Sequence, residues 1–307
     1  MEQSSCSIED VYKEFNNIDG EFGVRMQGES SGEFADQSIH DYCHYGNPPE
    51  KGKCHNYFQM ASSGVIRLLT KLKEKCNLEY DKLAEYAILF LNYKLNQSKK
   101  NTFKNLNEFY TSYIETNNYY NEKIKDDDTT TYKKIIDRKK DLMNIKEISK
   151  FNDPFGILLL LYLVIKNKKL DCTEYSSYPK DFADKFKDLN NDSNNKENSS
   201  YNKLLSTLSN DYNNLKNMDD DKNKCSNFPS FPELTPQKFS IENSVKVSGQ
   251  TLEKTPEGTL SSSSILNTVI SVLSTFFVIS LFLGVSYKYS LFGFGKRSQK
   301  RYLRENI

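Results

Sequence analysis

The residues of this 307-residue sequence that could bind a metal or act as nucleophiles are concentrated in one short stretch. All three histidines lie between residues 40 and 55, where the sequence reads HDYCHYGNPPEKGKCH. Cysteines that bind zinc from a small loop are usually about two to four residues apart. Cys43 and Cys54 stand farther apart, and the side chains of sequential Cys-His neighbours usually diverge. We therefore expect disulfides in a Pro/Gly loop here. The alternative is a zinc site formed by Cys43 and Cys54 with the histidines His40, His44 and His55.

The cysteine pattern of the whole chain also favours disulfide bonds. All six cysteines precede a long apolar run that begins near residue 265, and none lies in that run or after it. An even number of cysteines on the non-cytosolic side of a membrane is typical of disulfide-bonded proteins, although the sequence leaves their connectivity open. The candidates are Cys6, Cys43, Cys54, Cys76, Cys172 and Cys225.

Other catalytic and ligand-binding patterns fail on spacing. A phosphate-binding loop that used Gly295 and Lys296 would need a glycine at 290 and a hydroxyl at 297, which are Ser290 and Arg297. The aspartate runs 126–128 and 219–221 lack calcium-loop spacing. The net charge of +1 gives no reason to expect nucleic-acid binding. We therefore predict no enzyme activity, no catalytic residue, no metal, no cofactor and no small-molecule substrate.

The apolar run at 265–285 has the length and composition of a transmembrane helix. No charged residue lies between Glu257 and Lys288. A helix of 21 residues spans about 30 Å, which is the hydrocarbon thickness of a bilayer. The alternative, a buried core helix, is less favoured because the run has no polar face.

Basic residues follow this run and set its expected orientation. They are Lys288, Lys296, Arg297, Lys300, Arg301 and Arg304. Basic residues beside a span stay on the cytosolic side, so we expect a cytosolic tail at 286–307 with residues 1 to about 260 across the membrane. The tail could also bind anionic lipid. Because MEQSSCSIEDVYKEF has no basic start and no apolar run, we expect no cleavable signal peptide.

Helical periodicity dominates the region before the predicted span. Apolar residues recur at i, i+3, i+4 and i+7 in a series of segments. These segments are 8–15, 65–75, 81–95, 102–115, 132–151, 177–190 and 199–217. The segment 155–166 is apolar on every side but too short to span a bilayer, so we expect it at the centre of a bundle. The stretch 190–200 is expected to be a solvated loop.

The predicted fold class is therefore all-α, with four parts. A helical-bundle ectodomain with an irregular N-terminal cysteine loop occupies 1–225, and a flexible Pro/Ser-rich stalk occupies 226–264. The transmembrane helix at 265–285 and the basic tail at 286–307 follow.

Several stretches in the second part of the chain are characteristic as well. They include ISKFNDPFGILLLLYL, SSYNKLLSTLSNDYNNLKN, FPSFPELTPQ and GVSYKYSLFGFGKRSQKRYLRE. In this order they resemble the Plasmodium interspersed repeat (PIR) variant antigens, in the branch of rodent malaria parasites called YIR, BIR and CIR. The resemblance covers most of the chain from about residue 85. In the family a cysteine usually follows the turn that corresponds to Met60–Gly64, whereas the next cysteine in this sequence is Cys76. The family's cysteine pairing is therefore not carried over.

The resemblance implies a single-span variant surface or exported antigen of malaria-infected red cells, without enzymatic activity. It implies antigenic variation, immune evasion and host-receptor binding. The expected partners are membrane lipid and a host surface receptor or antibody, and the expected location is the surface of the parasite or infected red cell. The alternative is a parasite membrane structural or trafficking protein whose basic tail binds lipid or a cytosolic partner.

We predict that Cys172 and Cys225 form a disulfide, because both flank the helical pair at 180–217 and lie far from the other four cysteines. A loop of about fifty residues closed in this way would stabilise the fold by about 4 kcal/mol. Non-reducing peptide mapping checks this pairing. A peptide that joins either cysteine to Cys6, Cys43, Cys54 or Cys76 would contradict it.

Overall fold

A computed structural model describes residues 6–27, 30–46, 49–166, 177–222 and 233–236 of the chain. The predicted transmembrane helix and tail lie outside these residues, as do Cys172, Cys225 and the stalk apart from 233–236. The helices are α1 (Ile8–Glu21), α2 (Gln37–His40), α3 (Tyr57–Cys76), α4 (Tyr80–Gln97), α5 (Leu106–Phe109), α6 (Tyr132–Asp137), α7 (Asn152–Lys166), α8 (Tyr178–Asn190) and α9 (Ser200–Lys222). The strands are β1 (Phe22–Gln27), β2 (Ser30–Ala35), β3 (His44–Gly46) and β4 (Pro49–Lys51).

Local sequence signals set the bounds of the long helices. The Ser7 hydroxyl accepts the backbone N–H of Asp10, and the Asp10 carboxylate accepts the N–H of Ser7, so α1 starts with a capping box. The Asn56 side chain caps α3 in the same position. Helix α3 ends at Asn77, which adopts the left-handed conformation common after a last helical turn (φ 45°).

Helix α7 lies at the centre of the helical body. It contacts α1, α4, α8 and α9, and Phe155, Leu158 and Leu161 are fully buried. Within the described part of the chain, Ile148–Ile165 alone is long and apolar enough to cross a membrane, but 78% of it is buried inside the fold. The sequence prediction of a core helix at 155–166 is therefore confirmed.

The mostly helical fold is also confirmed, but the N-terminal region departs from the irregular structure predicted for it. Strands β1 and β2 pair antiparallel from Phe22–Ala35 to Gln27–Ser30, and β3 pairs with β4 across the cysteine loop. The glycines at 23 and 32 conceal the strand pattern in the sequence. Tertiary packing holds the first hairpin in place, because the buried Phe22 ring lies directly against Gly64 of α3.

Two predicted helices are interrupted. The segment 132–151 is helical only to Asp137 and continues as short 3-10 turns at Lys140–Asn144 and Lys146–Phe151. The break falls at Lys139, whose backbone leaves the helical region (φ −125°, ψ 27°) and whose side chain is buried in the fold. Likewise, in the segment 102–115 the helix begins only at Leu106 and changes to a π-helical turn at Tyr110–Ile114.

The stretch between α8 and α9 also differs from the solvated loop that was predicted. Asn190 and Asn195 are buried there. The Asn195 side chain donates to the backbone oxygen of Asn190 at 2.8 Å. Hydrogen bonds within the turn therefore replace water for these polar groups.

Gly64→Ala should destabilise the fold, because the added Cβ would lie 2.5 Å from Cε1 of Phe22. We expect a loss of about 1–3 kcal/mol in the free energy of unfolding. Gly20→Ala is the matched control, since nothing lies within 4 Å of its Cβ position. That substitution in helix α1 should be neutral or stabilising by up to about 1 kcal/mol. Urea unfolding of both variants checks the contrast, and equal stabilities would contradict the packing of Phe22 on α3.

Candidate functional site

The cysteine loop that could have held zinc instead holds a disulfide. Cys43 and Cys54 are bonded, with their Cα atoms 5.4 Å apart. The three histidines make separate contacts: His40 Nδ1 accepts the backbone N–H of Cys54 at 3.0 Å, and the backbone N–H of His44 donates to Asn117. His55 is exposed, and its N–H donates to Gln59. Cys43 and Cys54, the sulfur ligands of the alternative zinc site, are thus bonded to each other. Among the described residues, no three metal-binding side chains are grouped together.

A second disulfide joins the start of α1 to the end of α3. Cys6 and Cys76 are 70 positions apart in sequence, and their Cα atoms are 4.9 Å apart. Closure of a loop of this length stabilises a fold by about 4 kcal/mol in the chain-entropy account. Ion pairs continue the contact along the two antiparallel helices, from Lys75 with Glu14 to Arg67 with Glu21.

A buried carboxylate lies where α1, α4, α7 and α9 meet. Asp211 Oδ2 accepts the Tyr12 hydroxyl at 3.0 Å, and Oδ1 accepts the Tyr86 hydroxyl at 3.2 Å. The Tyr162 hydroxyl donates to the backbone oxygen of Asp211 at 2.7 Å, and the Tyr12 and Tyr162 rings stack at 4.1 Å. We call these four residues the tyrosine–aspartate centre.

Burial controls the protonation of this centre. It raises the pKa of Asp211 to about 7, despite the opposing hydrogen bond from Tyr12 and the nearby positive charge of Lys82. Burial also raises the pKa of Tyr12 and Tyr86 well above the ordinary value, with the Asp211 charge acting in the same direction. The tyrosines therefore remain neutral donors to the carboxylate.

A neighbouring carboxylate on α4 behaves in the opposite way. Burial would raise the pKa of Glu85, but a hydrogen bond from Thr207 and the charge of Lys82 outweigh it, and the pKa is lowered. The Glu85 oxygens lie 2.7 Å from the Thr207 hydroxyl, 3.0 Å from Lys82 Nζ and 3.0 Å from the buried Lys139 Nζ. Lys139 also lies 3.3 Å from Asp81. The pairing explains why the chain breaks its helix at Lys139.

The third buried charge is Lys94, near the end of α4. Its ammonium group donates to the Asp19 carboxylate at 2.8 Å and to the backbone oxygen of Phe22 at 2.9 Å. The same nitrogen lies 4.1 Å from the centroid of the Phe22 ring. Lys94 therefore ties the end of α1 and the first hairpin to α4. The carboxylates and cations of these clusters are paired with each other or with hydroxyls, an arrangement that holds helices together.

Comparisons with known proteins agree with this architecture. The sequence profile of the family described as "Plasmodium variant antigen protein Cir/Yir/Bir" matches residues 12–288. The chain belongs to the Plasmodium PIR family.

A solved "Structure of a Plasmodium PIR protein ectodomain" is 32% identical, covers 75% of this chain and 99% of its own, and superposes with a TM-score of 0.54. No match was found among curated proteins. The sequence prediction that the chain is a PIR protein is thus confirmed. Its assignment to the rodent-parasite branch of the family stays a prediction. The PIR family is one of variant antigens rather than enzymes.

Sequence reasoning missed the charged core of this PIR protein. One signal was present: Leu204, Leu208, Asp211 and Leu215 follow one helical face, so an aspartate occupies a core position. Lys94 gave the same signal, because it follows Ala87, Phe90 and Leu91 on a buried face of α4. The sequence did not indicate the partners of these residues, since most of them come from distant segments. Of the cysteines predicted from sequence to form disulfides, the structure pairs Cys6 with Cys76 and Cys43 with Cys54. The predicted basic tail lies outside the described residues.

Asp211→Asn should flatten the dependence of stability on pH. The folded-state pKa of Asp211, about 7, lies above the unfolded value of about 3.9. Between these values the folded protein holds a proton that the unfolded chain has released, so stability falls as pH rises through this window, by up to about 1.4 kcal/mol per unit. Asparagine removes this loss and still offers Tyr12 and Tyr86 an acceptor.

Urea unfolding at intervals between pH 5 and pH 8 checks this effect. Asp188→Asn, at an exposed position of α8, is the matched control and should keep the wild-type profile. Parallel profiles for wild type and Asp211→Asn would refute the assignment.

Proposed function

We propose that this PIR protein is a single-span variant antigen displayed on the surface of the parasite or of the infected red cell. The observation that carries the proposal is the family match across residues 12–288. The helical region then acts as the ectodomain, 265–285 as the membrane anchor and 286–307 as a cytosolic tail that contacts anionic lipid.

The chemistry of the described region supports a role in display. Its buried charged residues pair with other protein groups, so their hydrogen-bonding capacity is used within the fold. Two disulfides fix the N-terminal part of the body, and disulfides are typical of non-cytosolic proteins.

Variation of exposed residues would cost such a fold little stability. Substitutions at surface positions usually change the free energy of unfolding by less than about 0.5 kcal/mol. Exposed positions such as Lys99, Asn121 and Lys203 lie on the body that α7 organises. We therefore propose antigenic variation and immune evasion as the role, with antibodies and a host surface receptor as the partners.

The topology is tested with an epitope tag after Ile307 and with protease added to intact infected cells. We expect the protease to remove the ectodomain, and we expect the tag to bind antibody only after permeabilisation. Replacement of Lys296, Arg297, Lys300, Arg301 and Arg304 by Gln should weaken this orientation without preventing insertion, because the apolar run is unchanged.

The matched control replaces Lys296 and Lys300 by Arg, which keeps the charge and should keep the orientation. Antibody binding to the wild-type tag on unpermeabilised cells would contradict the proposed topology. The proposal that the helical region is the displayed antigen would then fail as well.

A further inference from the structure

Residues 233–235, within the predicted stalk, are bound to the helical body at the turn between α8 and α9. The side-chain amide of Asn190 donates to the backbone oxygen of Glu233 at 3.0 Å and to the Thr235 hydroxyl at 3.1 Å. Its carbonyl oxygen accepts the backbone N–H of Thr235 at 3.1 Å. Leu234, between them, packs against the hydrophobic core.

Asn190 is itself held by Asn195, which in turn is held by Asn202. The Asn195 amide donates to Asn190 Oδ1 at 3.0 Å and to the backbone oxygen of Asn190 at 2.8 Å. The carbonyl oxygen of Asn195 in turn accepts the Asn202 amide at 2.9 Å. Asn190 and Asn195 are both buried.

The chemistry of this arrangement suits a peptide backbone. An asparagine side chain offers two donors and one acceptor oxygen with two lone pairs. All of these are used at Asn190, since both amide hydrogens donate and Oδ1 accepts from Thr235 and Asn195. Loss of the segment would leave three of these hydrogen bonds unmade at a buried group, which is costly.

We propose that Asn190, Asn195 and Asn202 form an asparagine clamp that binds Glu233–Thr235 of the same chain and anchors this segment of the predicted stalk on the helical body. The clamp reads main-chain groups and one hydroxyl. It therefore favours a small hydroxyl residue at 235 and tolerates other side chains at 233.

Hydrogen–deuterium exchange of the full chain in detergent tests the clamp at the Thr235 amide. In the wild type this amide should exchange at least about tenfold more slowly than in an unstructured peptide, since a native hydrogen bond must open first. Asn190→Ala should raise its rate by about tenfold or more. Thr235→Val keeps the N–H but loses the hydroxyl, and should raise it by a smaller factor.

Two controls keep the test decisive. Asn191→Ala changes an exposed neighbour and should leave the exchange of the segment unchanged. Amides of α4 report global stability. If Asn190→Ala accelerates the exchange of those amides too, Thr235→Val alone decides the result.

Exchange of the wild-type Thr235 amide at the unstructured rate would overturn the clamp. Protection that grows with protein concentration would also overturn it, because a second copy would then supply the segment. None of these outcomes depends on membrane topology.

Discussion

The apolar circumference of helix α7 is the constraint on which the rest of the fold depends. Phe155, Leu158 and Leu161 are buried, and no side of this helix could face water without a large cost. Helices α1, α4, α8 and α9 supply the cover. The remaining elements attach to these helices, so the protein is organised from its least polar segment outward.

The same arrangement explains why charged residues are buried nearby. Helices long enough to cover α7 bring polar residues to its edges, and each such residue needs a partner there. Asp211 receives tyrosine hydroxyls, Glu85 receives Lys139, and Lys94 receives Asp19. Each of these contacts joins elements distant in sequence. The pairs thereby specify which helices meet, in addition to any stability they contribute.

Periodicity in the sequence was sufficient to locate most helices, including the central position of 155–166, because apolar spacing is a local signal. It was insufficient for the two hairpins, and the position of the first depends on the fit of Phe22 to Gly64. The break at Lys139 was missed for the same reason, because the group that stabilises it, Glu85, comes from α4. The buried Asn195 was missed because its hydrogen bonds lie within a polar turn that has no apolar period. Cysteine counting indicated disulfides but not the pairs, because pairing depends on how α1 lies against α3.

The central claim is that α7 is buried by protein and not by a membrane. Amide hydrogen exchange of the full chain in detergent, measured with increasing urea, tests it most directly. The account predicts that the amides of Leu158–Tyr162 exchange only through global unfolding, with the same free energy as those of Ala87–Leu91 in α4. Slow exchange in α7 that persists after the α4 amides have lost their protection would mean that detergent shields the helix, and would contradict the account.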